Sequence, residues 1–174
     1  MGKPSQPKKA LLFCSTLYSQ ETVLTEALKR LTAAFGEVLF YSPSILWDFS
    51  DYYNKELGEV IFRRYIFFKD LIHQDALADI KLLSNQIEDD LSVDQKRTIN
   101  LDTGYLTPAK IVLASTKDFS HRIYLGKGIY AEVTLIYKKG EFVHHLNTYP
   151  DYKHMRHQFY FHIARRILVE NIYF

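Results

Sequence analysis

Between Asn100 and Tyr137 the chain reads NLDTGYLTPAKIVLASTKDFSHRIYLGKGIYAEVTLIY, which sets Asp102, Lys110, Lys117, Asp118, His121, Arg122, Lys127 and Glu132 among tyrosines and glycines. Charged groups this dense beside turn-forming glycines suit a surface that handles a ligand. Residues alternate faces along a strand, so over Ile129 to Tyr137 the side chains of Tyr130, Glu132 and Thr134 share one face. Ile129, Ala131, Val133 and Leu135 share the other, which is uniformly apolar and is assigned to the core. Glu132 then faces Arg122 across a hairpin, an arrangement fit for carboxylate acid/base chemistry or for clamping an anion. A cross-strand ion pair on a solvated sheet face would use the same two residues.

Thr107-Pro108 has the form of a helix start, a cap followed by proline. In a helix from there to Ser115, the 4- and 3-residue steps from Lys110 to Ala114 to Lys117 put both lysines on one side. With Arg122 they would form a positive pocket for phosphate or carboxylate, with His121, titratable near neutral pH, at its edge. Asp102 ends a strand in a turn with Gly104 and Tyr105, where it can orient a base or simply build the turn. The catalytic candidates are therefore Glu132, His121 and Asp102. The ligand-binding candidates are Lys110, Lys117, Arg122, Tyr105, Tyr124 and Tyr130. On this reading Glu132→Gln removes activity and leaves the melting temperature within a few degrees.

Other chemistries lack their signatures. GxxxxGK[ST] and GxGxxG are missing, and Gly126-Lys127-Gly128 is a hairpin turn with no helix after it. His154, His157 and His162 do not share one helical face, so no metal is expected. No motif names a cofactor. Leu12 to Leu17 and Arg64 to Phe68 loosely echo the aromatic strands of RNA-recognition sheets, without the glycine that the second motif wants. An RNA- or protein-binding module using an aromatic sheet face is the alternative to a small anionic ligand.

The 174 residues fit one domain, with 47% hydrophobic and 24% charged side chains, an ordinary globular composition. A net charge of +2 demands neither nucleic acid nor an anionic membrane. The single cysteine, Cys14, excludes a disulfide framework and suits a reducing compartment. With no apolar run near 20 residues long and no signal-peptide core, a cytoplasmic location is expected, and the oligomeric state is left open.

The positioning elements follow from periodicity. Residues 1–9 read as a disordered lead-in and 10–174 as a single domain. Ala10 to Leu17 is a buried strand. A helix with Leu24, Ala27, Leu28, Leu31 and Phe35 inward follows, capped by Ser19 and stopped at Gly36. Strands are expected at Val38 to Tyr41, Val60 to Lys69 and Arg97 to Leu101, with a helix after Asp75 that buries Leu77, Ile80, Leu83, Ile87 and Leu91. The stretch between Ser42 and Gly58 is an aromatic, acidic loop. Asp48 and Asp51, with Trp47, Tyr52 and Tyr53, are expected to pack it over the ligand face as a lid. Hairpin strands at Arg122 to Leu125 and Ile129 to Tyr137 precede Glu141 to His144. A last helix runs from His154 to about Tyr173, with Met155, Phe159, Ile163 and Ile167 at every fourth residue. The fold class is α+β: a ferredoxin-like βαββαβ core extended by a short helix, a β-hairpin and a C-terminal helix.

Several segments are similar to one known family: Asp48 to Tyr53 (DFSDYY), Asn100 to Leu106 (NLDTGYL), Thr116 to Asp118 with His121 to Leu125, Gly128 to Leu135 (GIYAEVTL) and Thr148 to Tyr152 (TYPDY). The chain resembles a bacterial and archaeal family of uncharacterised proteins of about this length, carried as a domain of unknown function or under the label "GTP-binding protein". The resemblance spans most of the chain. It implies no established activity and no assigned catalytic residue, and the phosphate-loop motifs behind such a label are absent.

Overall fold

The computed structural model describes residues 2–171. Residues 2–9 form neither helix nor strand and are exposed. The chain then builds one antiparallel sheet of nine strands: β1 (Ala10–Tyr18), β2 (Val38–Tyr41), β3 (Ile45–Leu46), β4 (Phe62–Ile72), β5 (Ile99–Leu106), β6 (Lys110–Ser115), β7 (Ile123–Gly126), β8 (Ile129–Lys138) and β9 (Glu141–His144). The helices are α1 (Glu21–Phe35), α2 (Asn54–Leu57), α3 (Leu77–Asp90), α4 (Pro150–Lys153) and α5 (Met155–Glu170). This is an α+β fold, as expected. The main path across the sheet is β2-β4-β1-β5-β6-β8-β7, with β3 paired to β4 and β9 to β8. Within the first hundred residues, α1 and α3 therefore each link two strands that flank a third.

β1 is central, and all nine of its residues are buried because helices cover both of its faces. On one face Leu12, Cys14 and Tyr18 pack with Leu24, Ala27 and Leu31 of α1 and Ile80 and Ile87 of α3. On the other, Leu11 and Phe13 pack with Tyr65, Phe67 and Phe161 of α5. The aromatic rings of β1 and β4 that an RNA-reading sheet would expose are thus covered. No helix among the described residues is long and apolar enough to cross a membrane.

Five expectations are corrected. Residues 107–115 are not a helix: Lys110–Ser115 is strand β6, hairpinned to β5. The Thr107 hydroxyl accepts the N–H groups of Ala109 and Lys110, as an N-cap would, but Thr107 N–H bonds to Lys110 O and closes a tight turn. Threonine and proline serve either purpose, and the β-branched pair Ile111-Val112 carries the strand. Ser19 does not cap α1, whose N-cap is Gln20. In α5 the buried side chains include His157, Phe161, Ala164 and Leu168, while Met155 and Phe159 are exposed; the end of that helix as expected, near Tyr173, lies outside the described residues. Leu83 of α3 is exposed too, and Lys81, Ser84 and Glu88 lie on the buried face.

The fifth correction concerns β8. Val133 pairs with Val112 and Leu135 with Ile111, so Thr134 is an extra residue, a β-bulge. The bulge breaks the alternation: Glu132, Thr134 and Leu135 are all buried, whereas Ala131 and Val133 are only half-buried. The face read as solvated is the covered one.

Candidate functional site

The ladder between β5 and β6 is short. It pairs Leu106 with Ile111, Tyr105 with Val112 and Gly104 with Leu113, and there it stops. Beyond Gly104 the two strands part like a fork. β5 is left with backbone groups that need partners, and α3 supplies them across the gap. Lys81 Nζ donates to Leu101 O at 2.8 Å, and the Glu88 carboxylate accepts the Leu101 N–H. The fork opens into a cleft of about 560 Å³, within the usual range for small-molecule sites.

Each wall of the cleft has its own chemistry. On β5, Asn100 Nδ2 donates to Asp102 Oδ2 at 2.7 Å, and Lys81 Nζ lies 3.4 Å from Asp102 Oδ1. Arg97 reaches Asn100 and pairs with Glu56. At the floor Arg63, 4% exposed, pairs with Asp151 at 3.0 Å and also bonds Ser15. Arg63 Nε and the Tyr152 hydroxyl are buried without a hydrogen-bond partner among the described residues. The outer wall is the aromatic loop, which is pinned rather than loose. Trp47 Nε1 donates to Ser50 O at 2.9 Å, Asp48 pairs with Arg156, and the Arg63 guanidinium lies 4.9 Å from the Trp47 ring centroid. Trp47, Tyr52 and Tyr53 line the cleft, and Lys117 Nζ sits 5.4 Å from the Tyr52 ring centroid.

Burial sets the protonation of the lining. It pushes Glu88 up to about 7, against the pull of Lys81 and of the Leu101 N–H. It also raises Asp151, outweighing Arg63, and raises Tyr149, with Glu132 adding to the effect. His157, which orients Arg156 through a 3.1 Å hydrogen bond, is lowered to about 3 by burial and by the neighbouring Arg63 and Arg156 charges. Four cationic and four acidic side chains line the cleft, so it is polar and charge-balanced rather than broadly basic.

The expected site residues divide among separate places. Asp102 and Lys117 line the cleft. Glu132 and Arg122 do meet, at 2.8 Å, but both side chains are almost fully buried. Glu132 also accepts from Thr134 and lies 3.2 Å from His121 Nε2. Arg122 spends three other donors on Ser115, the Lys117 carbonyl and the Tyr149 hydroxyl, at 2.7–2.9 Å. This pair ties the β6–β7 connection to α4, and four of the five Arg122 N–H donors are already used within the protein. Lys110, Tyr105 and His121 line a different groove, and Tyr124 and Tyr130 pack on each other at the β7–β8 hairpin with centroids 5.1 Å apart. The single basic pocket of Lys110, Lys117 and Arg122 does not form, because Lys110 lies on a strand. Among the described residues no group of three or more His, Cys, Asp or Glu is set to hold a metal.

Lys81, Glu88, Arg63, Arg97 and Asp151 were not singled out from the sequence. One signal was available for the first two. Leu77, Lys81, Ser84 and Glu88 recur at steps of 4, 3 and 4, a polar stripe beside the apolar one of α3.

The chain belongs to a family of unknown role: its residues 8–167 match the model described as "Domain of unknown function (DUF4416)". No curated protein and no solved structure matches the chain.

Proposed function

We propose that this protein binds a small anionic molecule, a phosphate or carboxylate carried on a planar body, in the cleft at the β5–β6 fork. The observation that carries the reading is the fork itself: a sheet that opens beside buried polar groups, walled by aromatic rings. Lys117 is the natural seat for the anion, since its Nζ has no carboxylate partner among the described residues. Tyr52 and Tyr53 offer faces on which a ring stacks, and Asn100 and Asp102 offer directed hydrogen bonds. If the ligand is transformed, Glu88, titrating near 7, is the group suited to move a proton.

The test is a thermal-shift screen and calorimetric titration with inorganic phosphate, pyrophosphate, aromatic carboxylates and phosphorylated aromatic metabolites. A hit should weaken roughly tenfold in Lys117→Ala, as expected for one charge-assisted contact, and fail in Tyr53→Ala. Absence of any hit, or hits indifferent to both substitutions, would overturn the reading. Steeply salt-dependent RNA binding would instead favour a nucleic-acid module.

A further inference from the structure

On the face of the sheet away from α5 lies a second concavity, of about 420 Å³. α3 covers Val112 and Ala114 on this face through Leu77 and Ala78, but does not extend over the outer strands. Ile123 and Leu125 of β7 and Ile136 of β8 are left 71%, 42% and 50% exposed. Exposed apolar side chains grouped this way mark an interaction surface.

The strand register shows that the groove has two unlike ends. At one end Ile123 pairs with Ala131, and Leu125 lies alongside; this half is hydrocarbon only. At the other end Lys110 pairs with Ile136, and Tyr105 sits beside Val112, which pairs with Val133. His145 Nε2 donates to Val133 O at 2.6 Å, and His121 lies with its ring centroid 6.0 Å from that of His145. These histidines occupy the notch left on the outer edge of β8, where β7 stops at Ile129–Ala131 and β9 begins at Leu135. The Lys110 ammonium, the Tyr105 hydroxyl and His121 Nδ1 have no hydrogen-bond partner among the described residues. Glu132, held by Arg122, fixes His121 with its Nε2 proton toward the carboxylate.

We propose that this groove is a second ligand site, for a free medium-chain carboxylate. The hydrocarbon chain lies along Ile123, Leu125 and Ala131, and the carboxylate is taken by the Lys110 ammonium and the Tyr105 hydroxyl. A cation and a hydroxyl donor at one end of an apolar trough complement an amphiphilic anion. A second copy of the chain would have to bury that lysine without a counter-charge.

The experiment is isothermal titration of the full chain with hexanoate, octanoate and decanoate, each below its micelle concentration, beside decanol and decyltrimethylammonium. Affinity should rise about fourfold for each methylene buried. Lys110→Ala should weaken decanoate about tenfold and leave decanol unchanged, and Ile123→Asp, at an exposed position, should abolish binding of the chain. Lys117→Ala, in the cleft on the other side, should change nothing, which separates this site from the first. Equal binding of decanol and decanoate, no binding of decanoate, or a dimer in light scattering that Ile123→Asp dissociates would overturn the proposal.

Discussion

Glu88 is buried to 7% exposure, with Lys81 and the Leu101 N–H to oppose its desolvation, and still titrates near 7 against an ordinary 4.5. Between those values the folded chain holds more proton than the unfolded one. The stability that depends on this group therefore falls as pH rises from 4.5 through 7 and stays low above. The difference is worth roughly 3 kcal/mol at 1.36 per pH unit. Glu88→Gln, which keeps an acceptor for Leu101, should melt higher than the parent at pH 8 and lose that advantage at pH 4.5. Equal melting curves at both pH values would show that the charge is solvated. Glu132 behaves otherwise. Its burial against Arg122 reverses the expectation that Glu132→Gln is benign, because an unpaired guanidinium 3% exposed would remain. The loss should be roughly 3 kcal/mol, or a fall of some 6–12 °C at roughly 2–4 °C per kcal/mol in a chain of this size. Scanning calorimetry reads it directly, and a fall under about 2 °C would mean that Arg122 finds water.

At the scale of elements, the decisive contact is where β5 and β6 meet before they part. A side chain on Gly104 would place its Cβ 2.5 Å from the Val112 carbonyl and 2.7 Å from the Phe13 ring. The last rung of the ladder exists because this residue has no side chain, and the fork starts one step beyond it. Gly104→Ala should therefore cost roughly 2–3 kcal/mol by overpacking, measured as a lower denaturant midpoint, and should alter ligand affinity at the cleft. An unchanged midpoint would mean that the strands can separate freely. The loop Trp47 to Tyr53 is fastened at Asp48 by Arg156, and its Trp47 ring packs tilted against Phe49 and edge-on against Tyr53. It walls the cleft without needing to close over it.

For the whole molecule, stability is graded from the centre outward. β1 is buried on both faces and flanked by β4 and β5, whereas Ile123, Tyr124 and Leu125 of β7 are exposed at the sheet edge. Hydrogen exchange should find β1 amides opening only with global unfolding, and β7 amides exchanging by local opening, orders of magnitude faster. Uniform protection across the sheet would contradict this and would indicate that the apolar groove beside β7 is covered in solution.

The sequence by itself determined the elements whose signals are local. The largely apolar run of β1, the 3- and 4-residue steps of α1 and the Gly126-Lys127-Gly128 turn all reappear in the structure. It also determined that Glu132, Arg122 and His121 lie together, because a hairpin brings them there. Tertiary structure alone decided which face of β8 is covered, since one bulged residue, Thr134, inverts the rule of alternation. It decided as well that Thr107-Pro108 turns a hairpin rather than starting a helix, since both uses rest on the same hydroxyl and the same fixed φ. The cleft was beyond local reading for a stronger reason: it is the place where a ladder fails. Whether two strands stay paired depends on Gly104, on the Phe13 ring beneath it and on α3 side chains brought in from the far side of the sheet, and no window of sequence contains all three.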